Sequence, residues 1–224
     1  YQKESMRGKS ELVKKDAANQ TSSGLDRDYI TQWSYGIDET LTLLVPDAKG
    51  GATVPLSKNA TAMAKADPQI QSMIPQHFGT QPGTSGPVYV GAFVLFLFIL
   101  GLFIVRGSMK WALLAATVLS VLLAWGHNFM GFTNFFLDYI PMYAKFRTVA
   151  SILVIAEFTI PLLAALALKK IVDEPEVLTK QMKFVYISLA LTAGVALLIA
   201  LFPGMMDPFV SDQERQMITS IQGM

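Results

Sequence analysis

The sequence predicts an all-α membrane protein: four transmembrane helices behind an irregular extracytoplasmic segment, together forming part of a larger bundle. Three observations predict it. Hydrophobic residues make up 52% of the 224 residues and charged residues only 16%, against roughly 25% in soluble domains, so the chain lacks the polar surface to cover itself in water; its mean hydropathy is +0.40. The charge is also uneven: residues 1–86 hold nine Lys/Arg and nine Asp/Glu, whereas long apolar runs dominate from Pro87 onward. Finally, each run approaches the roughly 20 residues a helix needs to cross about 30 Å of hydrocarbon.

Residues 1–86 read as one extracytoplasmic loop segment. Turn-forming runs punctuate it at Thr21-Ser22-Ser23-Gly24, Lys49-Gly50-Gly51 and Gln81-Pro82-Gly83. Between them, 37–45 (IDETLTLLV) is expected to form a short strand or helix ended by Pro46, and 56–74 a weak helix interrupted at Pro68. Asp26 and Asp28 flank Arg27 and read as a salt-bridged turn. The four-helix region, 87–202, follows. Its first span, 87–105, is uncharged, with Gly91 and Gly101 as points of close helix approach. The second, 111–126, is short and must tilt little or borrow flanking residues. The third, 149–168, carries Glu157 near its middle and Pro161, which is expected to kink it. The fourth, 184–202, is uncharged and contains Gly194. A buried helix of a soluble protein keeps a polar stripe; the first and fourth runs have none. Residues 203–224 read as a second, truncated extracytoplasmic segment. The chain starts at Tyr1 and shows no signal peptide, and is expected to be an internal piece of a longer protein.

Sidedness follows from the connections. Arg106 and Lys110 stand alone in 106–110, and Lys169, Lys170, Lys180 and Lys183 populate 169–183, so the positive-inside rule puts both loops in the cytoplasm. Residues 1–86, 127–148 and 203–224 then lie outside. Tyr89, Trp111, Trp125 and Tyr186 sit near helix ends as an interfacial belt. The expected location is a bacterial cytoplasmic (inner) membrane, crossed several times.

Several chemistries are disfavoured. A net charge of +1 gives no bulk attraction for nucleic acid. Without cysteine, and with only His77 and His127, no metal site is expected. The richest stretch is 127–149, HNFMGFTNFFLDYIPMYAKFRTV, whose aromatic and polar mixture suits a segment lying in the interface. Arg147, just before a helix, can clamp a phosphate with Lys145 as a second cation; the plainer reading is an interfacial anchor whose side chain snorkels to headgroups. Glu157 should face the bundle and find a partner, as a proton relay, an ion site or, more simply, a hydrogen bond to another helix. In the run 33–40, Trp33 and Tyr35 offer faces on which a sugar can stack, and Asp38 and Glu39 offer a candidate general base.

The strings SGLDRDYITQWSYGIDETLTLLVPDAKGGA (23–52), QPGTSGPVYVGAFVLFLFILGLFIV (81–105), WALLAATVLSVLLAWGHNFMGFTNFF (111–136) and IPMYAKFRTVASILVIAEFTIPLLAALALKKI (140–171) resemble the bacterial YfhO family of large membrane proteins. The resemblance covers most of 1–171. It implies a GT-C-type glycosyltransferase moving a sugar from a polyprenyl-phosphate carrier to a cell-envelope acceptor outside the membrane. It also implies that the remaining helices of the full-length protein pack against these, and that the principal catalytic carboxylate lies upstream of Tyr1, leaving these 224 residues alone inactive. Under it, Arg147 and Lys145 meet the lipid-linked phosphate while Trp33, Tyr35 and His127 face the sugar; the family carries Lys where this chain has His127. The other classes are a transporter or flippase of polar or lipid-linked cargo, with Glu157 and Pro161 as moving parts, and a non-catalytic membrane scaffold.

Overall fold

The computed structural model describes residues 21, 25–52, 54–55, 76–81, 88–145, 148–202 and 219; among these the regular structure is entirely helical. The expected weak helix at 56–74 and, apart from Thr219, the segment 203–224 lie outside the described residues.

The N-terminal segment contributes a single turn, α1 (Arg27–Ile30), and a 3₁₀ helix, Asp38–Leu43, which settles the strand-or-helix ambiguity at 37–45. Asp26 caps α1, its carboxylate accepting the Asp28 N–H at 3.0 Å. The long apolar runs follow as α2 (Ala92–Ile104) and α3 (Met109–Ala124). A 3₁₀ turn, Gly126–Phe129, leads into α4 (Met130–Tyr139). After a short turn, Tyr143–Lys145, a 3₁₀ start at Val149–Leu153 runs straight into α5 (Val154–Asp173). Then come α6 (Glu176–Lys180), α7 (Met182–Leu189), a π turn at Ala190–Gly194, and α8 (Val195–Leu201).

Among the described residues, two helices are long and apolar enough to cross a membrane. They are Val149–Asp173, 25 residues of mean hydropathy 2.2, and Met182–Leu201, 20 residues of mean hydropathy 2.4. A third exists if Met109–Ala124 and Gly126–Tyr139, bent by 106°, count as one broken span. The expected span at 87–105 is shorter: α2 has 13 residues, about 20 Å at 1.5 Å per residue. Gly91 explains the late start. Its φ of +99° lies where only glycine is comfortable, so the helix cannot run back through it. Residues 88–90 belong to the N-terminal segment instead, with Val90 N–H donating to the Leu43 carbonyl at 3.4 Å and the Thr42 hydroxyl to the Val88 carbonyl at 3.2 Å. Gly91 is therefore a helix entry point rather than a packing contact.

Bilayer lipid is as apolar as leucine, so helices inside it associate through close packing and hydrogen bonds rather than through exclusion of water. Both devices are present. Helix α5 is the hub, packed on α2 and α3 through Phe98, Leu113, Ala156, Ile160 and Leu163. A Cβ at Gly101 would sit 3.1 Å from Leu163 Cγ and 3.3 Å from Ala167 Cβ, so glycine lets α2 approach α5 this closely. Gly194 has no such neighbour nearer than 4.0 Å and sits in the π turn. Thr117 and Thr159 hydroxyls meet at 2.7 Å, and Ser120 donates to the Ile152 carbonyl at 2.7 Å, joining α3 to α5. Phe103 stacks on Phe184 at 4.4 Å and ties α2 to α7.

These contacts make α2, α3 and α5 successively antiparallel and give the bundle two distinct ends. At one, Lys110 donates to the Leu102 carbonyl at 2.6 Å, closing the end of α2, and the helical pairs Lys169–Asp173 (2.7 Å) and Lys180–Glu176 (2.5 Å) carry α5 and α6 into water. The other end carries the N-terminal segment.

Candidate functional site

At that second end the segment 25–44 is hydrogen-bonded along its length to the turns that join α3, α4 and α5. Leu25 N–H donates to the Ala144 carbonyl at 3.0 Å, Tyr35 N–H to the Ala124 carbonyl at 2.8 Å, and Ala150 N–H to the Trp33 carbonyl at 3.1 Å. Side chains add to the seam. His127 N–H donates to Ser34 Oγ at 2.9 Å, Asn128 donates to the Tyr35 carbonyl at 2.9 Å, and Trp125 Nε1 donates to Thr40 Oγ1 at 2.9 Å. Arg27 reaches Asn134 at 2.7 Å and pairs with Asp138 of α4, so it does not serve a local turn with Asp26. Gly126 is required where α3 turns into α4: its φ is +44°, and a Cβ there would overlap the Ser34 side chain. The 106° bend is thus the place where the N-terminal segment locks into the helix end.

Beneath the aromatic and acidic run lies a closed polar cluster. Glu39 is 1% exposed and His77 4%. The Glu39 carboxylate accepts the Gly36 N–H and lies 3.2 Å from His77 Nε2. His77 Nδ1 is 3.0 Å from the Gly51 carbonyl, which can only accept, so Nδ1 carries a proton. The Nε2–carboxylate contact then needs one further proton, held on the imidazole or on the carboxyl. Gly79 must be glycine, because a Cβ would collide with the Glu39 carboxylate. Tyr35, 2% exposed, donates to the Glu39 carbonyl at 3.0 Å and touches Thr42 Oγ1 at 2.5 Å. Burial pushes its hydroxyl up to about 12; the Thr42 hydrogen bond opposes the shift and the Glu39 charge adds to it. Burial likewise pushes Tyr143 up to about 12.

Tyr35 and Glu39 are therefore consumed inside the cluster, and neither presents a surface to a ligand. The exposed members of the predicted set are Asp38, His127 and Lys145. Asp38 is exposed and paired with the buried Lys49, which also lies 5.1 Å over the Phe78 ring. Trp33 is half-buried. His127 is exposed and oriented: Nδ1 donates to the Thr31 carbonyl at 3.0 Å, which leaves Nε2 as the outward nitrogen. Lys145 is exposed, between two residues in the left-handed region, Met142 at φ 70° and Thr148 at φ 62°. A β-branched residue there is a genuine outlier, and such strain concentrates at functional sites. Arg147 lies outside the described residues. Around these groups, Trp125, Phe129, Phe132, Phe136 and Tyr143 form a chain of rings with centroids 5.0 to 6.0 Å apart. Among the described residues no three His, Asp or Glu side chains gather as a metal site.

Sequence reasoning missed His77, Thr80 and Lys49. Thr80 donates to the Ser34 carbonyl at 2.9 Å and accepts from Asn128 at 3.4 Å. Nothing in their spacing links them to Glu39, 38 and 41 residues away for His77 and Thr80; only a buried acid that needs a donor demands them. Glu157 departs from expectation differently. It lies on the exposed face of α5, not toward the described bundle, and no hydrogen bond or ion pair joins it to a described residue. A charge at the centre of a membrane helix costs about 2.5–3.5 kcal/mol on insertion scales.

Compared with protein-family models, curated proteins and solved structures, the chain matches none.

Proposed function

We propose that this chain is a segment of a YfhO-like multi-pass protein of a bacterial inner membrane, a GT-C-type glycosyltransferase that moves a sugar from polyprenyl phosphate to a cell-envelope acceptor. In this reading α2, α3, α5 and the α7–α8 pair cross the membrane, and the end carrying 25–52 and 126–145 faces outward. The observation that carries it is the hydrogen-bonded seam between the aromatic–acidic run 33–39 and the aromatic, cation-bearing turns at the ends of apolar helices. A carrier phosphate resting in the outer headgroup layer would come to Lys145 and Arg147, and its sugar to Trp33.

The open side chains divide the work chemically. Lys145 supplies a point charge for a phosphate and Arg147 a planar fork. The indole face of Trp33 offers apolar area to a pyranose. The outward Nε2 of His127 accepts a hydrogen bond from a sugar hydroxyl, its tautomer set by the Thr31 carbonyl. The buried Glu39–His77 cluster holds the platform and does not meet substrate.

In the full-length protein, Arg147→Ala and His127→Ala should each lower carrier-dependent sugar transfer at least about tenfold, the scale of one lost positioning contact. Transfer unchanged in both would remove this surface from the reaction.

A further inference from the structure

The membrane-crossing helix α5 carries a polar defect on an otherwise apolar exposed face. Val154, Phe158, Leu168 and Val172 are 61, 67, 47 and 68% exposed, side chains that lipid would accept. Glu157 shares that face, nine residues into the 25-residue span Val149–Asp173. Four residues on, the exposed Pro161 has no N–H, so the Glu157 carbonyl lacks its usual helical donor. Two acceptors thus lie within one turn: a carboxylate with no hydrogen-bond or ion-pair partner among the described residues, and a carbonyl that proline cannot serve. Hydrocarbon supplies no donor to either.

We propose that this face of α5 docks a further transmembrane helix, from outside these 224 residues, that presents an Arg or Lys side chain at the depth of Glu157. Charge complementarity selects this occupant. The cation neutralises the carboxylate, and its remaining N–H groups reach the carbonyl freed by Pro161. Val154 and Phe158, beside the defect, and Leu168 and Val172, toward the other end, provide apolar contact along the same helix. A second copy of this chain fits worse, since a two-fold contact through this face would bring two Glu157 carboxylates together. The proposal needs only the span and the face, so it stands or falls separately from sugar transfer.

A benzophenone amino acid placed at Phe158 of the full-length protein, irradiated in intact membranes, tests this directly. The expected adduct is with one polypeptide helix that carries Arg or Lys at matching depth. Its yield should fall at least tenfold in Glu157→Leu, and recover when Glu157→Lys is combined with an acidic replacement of the partner's cation. Glu157→Gln, which keeps the shape and an acceptor, provides the comparison if the leucine variant does not assemble. Adducts with lipid alone, an adduct with Phe158 of a second copy, or an adduct whose helix lacks a cation would each overturn the proposal.

Discussion

Replacing His77 with Leu should open the platform built by the N-terminal segment. His77 and Glu39 are 4% and 1% exposed and 3.2 Å apart, so solvent screens neither. Removing the imidazole leaves the Glu39 carboxylate buried with the Gly36 N–H as its nearest remaining donor. Breaking one side of such a pair costs about 3–5 kcal/mol, a large share of the roughly 5–15 kcal/mol that holds a domain together. Replacing both groups by apolar residues costs less, because no buried polar group is then left without its partner. Lys49 reports the opening. It is 3% exposed and is held beside Asp38 and Phe78, so trypsin reaches the Lys49–Gly50 bond only when the platform lets go. In detergent-solubilised protein, His77→Leu should raise cleavage there roughly 100-fold or more, at about 1.4 kcal/mol per decade. His77→Leu with Glu39→Met should recover at least a tenth of that. A rise below about fivefold in the single variant, or additive effects in the double, would refute the buried-pair reasoning.

Two further outcomes follow from packing and burial. Gly101→Val should lower the thermal midpoint in detergent by an amount corresponding to about 1–3 kcal/mol of overpacking, because the new atoms press on Leu163, whereas Gly194→Val should do far less. A free phenol titrates near 10 and Tyr35 near 12. Between those values the unfolded chain has lost this proton while the folded chain keeps it, so folding weakens as pH rises through that range, by a few kcal/mol at most. Tyr35→Phe should flatten that alkaline slope in a stability-against-pH series; an unchanged slope would place the titration elsewhere.

The apolar runs at 149–168 and 184–202 were legible because length and composition alone suffice for a membrane helix, and the structure extends them to Val149–Asp173 and Met182–Leu201. Their ends were harder to read. The pairs Lys169–Asp173 and Lys170–Glu174 continue α5 past its apolar part as a solvated helix, so hydropathy stops short of the true end. At 87–105 the error ran the other way, since hydropathy cannot register that Gly91 adopts φ +99° and commits 88–90 to the N-terminal segment. The run 33–39 was conspicuous for its residue types, but type does not reveal burial: Tyr35 and Glu39 turn inward while Asp38 turns out. The partners of Glu39 come from 36 and 77, a pairing that only the folded chain creates.

The sidedness that underlies the proposed function can be measured with single cysteines, because the chain has none of its own. Asp38→Cys and Lys145→Cys should react with a membrane-impermeant maleimide added to intact cells whose outer membrane has been opened. Lys180→Cys should react only after the inner membrane is permeabilised. Labelling of all three from the same side, or of Lys180→Cys alone from outside, would contradict it.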